Sequence, residues 1–214
     1  MKIGALNYNN KITIATAMAA ILGVDAQSDD NEIKLTWKDS LRLETADGKN
    51  KLRIGGRIHW DNAFSSDDDY TSDGDTFRRA RLYVSGQIQE RYDFKMQYDF
   101  AGGDADFKDV NFGIKGLPVL GNLRVGQFKE PFSLEEQASS NDIPVIERAN
   151  LNRLVPSRSA GIMAYSDYAN QRVTGAVGVF RGNDDSYGNY KGDGYAATAR
   201  LTGLPMKSED GSQL

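Results

Sequence analysis

From residue 52 to residue 201 the chain alternates apolar and polar side chains with a period of two. Tyr92, Phe94, Met96, Tyr98 and Phe100 interleave with Asp93, Lys95, Gln97 and Asp99, one strand with an aromatic face and a charged face. Leu52, Ile54, Ile58 and Trp60 oppose Arg53, Arg57 and His59, and Ala80, Leu82, Val84 and Ile88 oppose Arg79, Arg81, Tyr83, Ser85 and Gln87. Val110, Phe112 and Ile114 oppose Asp109, Asn111 and Lys115. Val173, Val177 and Val179 oppose Arg172 and Thr174, and Tyr195, Ala197, Ala199 and Leu201 oppose Thr198 and Arg200. Weaker versions run over Leu123 to Phe128 and Gly161 to Asp167. No helical period of any length competes. The pattern predicts about eight antiparallel strands. Gln89 to Arg91 and Gly116 to Asn122 read as short turns, whereas Ser65 to Thr76, Ala101 to Asp106 and Gly182 to Gly194 read as polar loops.

Strands of about nine to eleven residues with this dyad cross a bilayer at a tilt. The same alternation builds a soluble sandwich or small barrel, in which the apolar face looks inward. In an outer-membrane barrel that face looks at lipid, and the charged face lines water. Periodicity alone does not separate the two. Aromatics at strand ends, such as Trp60, Tyr92 and Phe100, suit the girdles of a membrane barrel.

Composition removes several classes. Among 214 residues there are no cysteines and one histidine, so disulfide scaffolds, thiolate zinc sites and most nucleophilic triads are excluded. Lys+Arg 26 against Asp+Glu 30 give a net charge of −4, which argues against a nucleic-acid partner. Met1 to Ala26 reads as a secretory signal, with Lys2 and Lys11, an apolar run from Ile12 to Val24, and small residues in Val24-Asp25-Ala26. Residues 27–50 then form a mature N-terminal segment and 51–214 the barrel.

Phe77-Arg78-Arg79-Ala80-Arg81-Leu82 followed by the Tyr92 to Phe100 strand resembles the phosphate-selective porin O and P family. So do Gly126-Gln127-Phe128-Lys129-Glu130-Pro131-Phe132 and Glu147-Arg148, and the likeness runs from about Leu52 to Leu204. It implies an outer-membrane, all-β antiparallel barrel of about 16 strands, trimeric at full length, passing small inorganic anions without cofactor or enzymatic step. It also implies an inward-folded loop that narrows the bore, here residues 131–159. With about eight strands and no terminal aromatic strand at Gln213-Leu214, the sequence reads as the N-terminal portion of such a barrel.

Pore chemistry requires fixed charge facing confined water. The candidates on polar phases are Arg79, Arg81, Arg53, Arg57 and Arg124, with Lys129 at the root of the long loop, and Arg148, Arg153 and Arg158 within it. Arginine keeps its charge and offers a fork of donors to phosphate-like oxygens. The competing reading is that each arginine pairs with a wall carboxylate such as Asp93, Asp99 or Asp109. Arg78, by simple alternation, belongs to the lipid face. The acidic runs Asp67-Asp68-Asp69 and Asp184-Asp185 lack the fixed ligand order of a calcium loop, so no metal site is expected. Three readings stay open: a porin for phosphate or polyphosphate, a less selective general porin, and an exported soluble barrel that binds a ligand.

Overall fold

The computed structural model describes residues 32–67, 70–143, 147–168, 170–181 and 194–204. The expected signal at 1–26, the acidic pairs at 68–69 and 184–185, and most of the 182–194 loop lie outside these residues.

Ten strands form one antiparallel sheet: β1 (Ile33–Trp37), β2 (Leu41–Thr45), β3 (Lys51–Asp67), β4 (Tyr70–Ile88), β5 (Tyr92–Asp99), β6 (Asp106–Leu117), β7 (Gly121–Lys129), β8 (Arg158–Tyr168), β9 (Val173–Arg181) and β10 (Tyr195–Gly203). Every strand hydrogen-bonds its sequence neighbours, and β1 does not meet β10, so the sheet is open. An incomplete all-β barrel was expected, and this is its architecture. Tight turns fix the meander. Between β4 and β5 the left-handed pair Gln89 and Glu90 (φ 51° and 57°) has the sense of a two-residue hairpin turn matched to strand twist.

The strand count differs from eight because β1 and β2 occupy the segment expected to precede the barrel. Each has five residues, too few for its alternation to stand out. Of the expected loop at Ser65 to Thr76, residues 65–67 and 70–76 are strand. Register runs unbroken from Asp61↔Thr76 to Asp67↔Tyr70. The seventeen residues of β3 span roughly 55 Å at about 3.3 Å each, so even a 45° tilt carries the hairpin beyond a hydrocarbon layer of about 30 Å. Outside that layer a pair can continue on backbone hydrogen bonds alone, with no apolar face to betray it.

The sheet is curved. The Thr198 hydroxyl on β10 donates to Glu130 Oε2 at 2.6 Å, reaching past β8 and β9 to the residue after β7. One cavity of about 840 Å3 is lined from Arg53 on β3 round to Arg200 on β10.

Its two faces are inverted relative to a soluble protein. Leu82 is 50% exposed, Met96 44% and Ile58 72%, while Arg79 is 7% and Gln97 2%. Among the described residues the buried polar and charged side chains outnumber the buried hydrophobics, which are Leu43, Phe128, Met163 and Phe180. Phe128, Met163 and Phe180 form a small cluster, with the rings of Phe128 and Phe180 edge-on at 5.5 Å. Burial of apolar surface drives a soluble fold, and here large apolar side chains line the outside while charged ones are buried. The soluble-barrel reading fails on this observation.

Candidate functional site: an arginine-lined wall beneath a folded loop

The site begins with the register of β3 and β4. Arg57 lies directly opposite Arg81, and His59 opposite Arg79. Like charges facing each other across an antiparallel pair are destabilising, so this juxtaposition is no device for holding the sheet. After His59↔Arg79 the register slips, and Trp60 pairs with Phe77. Arg78 is the extra residue of that β-bulge, which re-aims its side chain. It therefore leaves the lipid phase that alternation gave it. Its Nε lies 2.6 Å from Asp61 and its Nη1 donates to Glu147 at 3.2 Å. Arg78 and Arg79 thus converge on one carboxylate, with Arg79 Nη2 donating to both oxygens of Glu147 at 2.9 and 2.8 Å.

The other wall cations differ in how far they are matched. Arg81 donates from Nε to Asp99 at 2.6 Å, the paired arrangement considered above. Arg57 donates to the Ser140 hydroxyl at 2.7 Å, and among the described residues no carboxylate lies within 4.0 Å of it. Lys95 and Arg158 share Asp109 at 2.6 and 2.8 Å. Arg124 donates to the Tyr165 hydroxyl at 3.1 Å, lies 4.9 Å from the centre of that ring and 5.7 Å from that of Phe128, and reaches Asp93 only at 4.0 Å. Arg53 contacts Asp39 at 3.3 Å.

The chain between β7 and β8 lies on this wall. It contains a short helix, α1 (Leu134–Gln137), and a 3-10 turn over Asn150–Leu154. Glu135 and Glu136 are neighbours within this helix. Glu136 is 4% exposed and organises the loop. It accepts from Asn152 Nδ2 at 2.7 Å and Ser157 Oγ at 3.0 Å, with Lys129 3.5 Å and Arg148 3.7 Å away. Burial opposes its ionisation, but the Asn152 bond, the Lys129 charge, the Ser157 bond and the Arg148 charge together hold its carboxyl below the usual range. Lys129 and Arg148 also donate to carbonyls at the end of α1, at Ala138 by 3.2 and 2.8 Å. These two cations are struts of the loop as much as candidates for an anion path. Arg158 is not a loop residue, because β8 starts with it. Arg153 falls in the 3-10 turn, and its side chain is outside the described set.

Outward apolar side chains, an inward charged wall and a loop packed on that wall are the parts of a membrane pore. A sequence profile of the phosphate-selective porin O and P family matches residues 52–212. The chain belongs to the phosphate-selective porin O and P family. Its members are outer-membrane channels, a family of pores and not of enzymes. No individual curated protein matches the porin significantly.

Of the arginines that alternation put on the polar phase, Arg53 and Arg124 line the cavity, Arg57 and Arg79 meet the loop between β7 and β8, and Arg81 meets Asp99. Alternation missed Arg78, Glu136 and Glu147. Phe77, apolar on the phase that Arg79 and Arg81 share, was the available signal for the bulge. Nothing in the sequence joined Glu147 to arginines nearly seventy positions earlier.

Proposed function

We propose that the porin conducts small oxyanions, phosphate or polyphosphate first, along Arg57, Arg81, Arg79 and Arg78, with the loop between β7 and β8 setting the bore. The observation that carries this reading is the cross-strand Arg57/Arg81 pair, in which Arg57 has a hydroxyl partner and, among the described residues, no carboxylate within 4.0 Å. Arginines two apart on a strand rise about 6 to 7 Å apart on one face, a spacing that lets an anion pass between rungs without being held by either. Arg53, Arg124, Lys129, Arg148, Arg153 and Arg158 extend the positive field around that path. Export through the signal at 1–26 and assembly of the full-length barrel as a trimer belong to the same proposal.

A less selective pore is the alternative, favoured by the tight Arg81–Asp99 and Arg158–Asp109 pairs. Reversal potentials in a salt gradient across planar bilayers decide between them. Changing Arg79 and Arg81 together to Glu in the full-length porin is expected to turn anion preference into cation preference, and Arg78→Glu is expected to act in the same direction. An unmoved reversal potential in the double variant would falsify this path.

A further inference from the structure

The two acids that tie the loop down are not alike. Glu136 is enclosed, with hydrogen bonds from two loop side chains and two cations nearby. Glu147 has a side chain 52% exposed, although the Arg79 side chain that it meets is only 9% exposed. Its partners are the forks of Arg79 and Arg78, plus the Arg148 backbone N–H at 3.1 Å. A carboxylate and a phosphate present similar oxygens to a guanidinium, and both accept two parallel donors. Glu147 therefore occupies the seat that a permeating oxyanion would take.

We propose that Glu147 is a tethered competitor of the permeating anion, a loop carboxylate that fills the Arg78/Arg79 seat at rest and yields it to an incoming oxyanion. The proposal rests on the anion-path reading above. Displacement is easy in this geometry. The Glu147 side chain is half-exposed, so one rotation returns its carboxylate to water, and the incoming oxyanion takes its place as the partner of the buried Arg79 guanidinium. Glu136 meanwhile keeps the loop docked. An entering anion thus meets arginines already neutralised and binds less tightly than they would allow. Weak binding is what fast conduction requires, since a site that holds its ion blocks the pore.

The arithmetic is that of a site only partly available: apparent affinity falls by the fraction of time that the seat is empty. If Glu147 fills it about four-fifths to nine-tenths of the time, removing the charge tightens binding about fivefold to tenfold. The experiment titrates the chloride current of the full-length porin in planar bilayers with inorganic phosphate and reads the half-inhibitory concentration. Glu147→Gln is expected to lower that concentration by about fivefold to tenfold, whereas Arg79→Gln raises it. Should Glu147→Gln match the wild type while Arg79→Gln still weakens phosphate, Glu147 is a strut and the proposal falls, with the path intact. A rise in Glu147→Gln also overturns it, because the carboxylate would then be positioning the arginines. If neither variant moves the value, the anion path itself is wrong. Should Glu147→Gln fail to insert, Glu147→Asp carries the test: its shorter arm keeps the charge and is expected to tighten phosphate to a lesser degree. An Asp variant equal to or weaker than the wild type then sinks the idea.

Discussion

Glu136→Gln removes one charge from the centre of the long loop while preserving its shape. Each carboxylate oxygen has its own donor, Asn152 Nδ2 at Oε2 and Ser157 Oγ at Oε1. An amide offers one acceptor and turns its own donors toward the other partner. One hydrogen bond to a charged group is thereby lost, worth about 1.5–3 kcal/mol, and Lys129 and Arg148 lose part of their counter-charge. A total of about 2–4 kcal/mol raises the undocked population of the loop by about 30- to 1,000-fold. Hydrogen exchange on the reconstituted full-length porin reads this directly. The amides of Ala138 and Asn152, bonded to Leu134 and Ala149, should exchange faster, and those of β5 should not. Loop amides at the wild-type rate, or equal acceleration in β5, would refute the assignment of Glu136 as the loop's anchor. The pH dependence has a definite sign. Because the folded carboxyl is held below its ordinary range, its contribution is complete at neutral pH. It is lost as pH falls from the ordinary carboxylate range through the lowered folded value. Wild-type loop amides therefore gain exposure on acidification beyond intrinsic exchange, and the Gln variant shows none of that component.

Other substitutions test the wall. Asp109→Asn strips the shared partner from Lys95 and Arg158, and with Lys95 partly exposed the cost is about 2 kcal/mol. The urea midpoint of the full-length porin should drop and its reversal potential should move toward stronger anion preference. A move toward cations would contradict the wall's electrostatics. Gly126→Ala places a Cβ 2.3 Å from the Val110 carbonyl oxygen at φ +124°, a region closed to other residues. Destabilisation above about 2 kcal/mol is expected, and a neutral outcome in urea unfolding would show that β6 and β7 adjust locally.

The strands were legible because a barrel in lipid writes itself as two-residue alternation, strongest where aromatics face one way, as in Tyr92 to Phe100. β1 and β2 were missed because five residues give too short a sample. The β3–β4 extension was missed because a polar hairpin outside the bilayer has no face to hide. Alternation also placed the wall arginines, but it misfiled Arg78, since a single-residue bulge shifts phase without changing composition. The loop was placed at 131–159 by the family resemblance. Its internal order was not legible, because the acids that fix it find their partners by folding back, Glu136 onto Asn152 and Ser157, and Glu147 onto β4.

The sheet's strictly sequential pairing has a consequence for evolution. Among the described residues no strand is inserted between two others, so a duplicated hairpin could be spliced in between neighbours without crossing any existing connection. Two strands about 4.8 Å apart, tilted near 40°, lengthen a barrel's circumference by about 12 Å and its diameter by about 4 Å. Bore width in such an architecture is a count of repeats, adjustable in steps. The arginine wall of β3 and β4, built from one adjacent pair, would pass through each step unchanged.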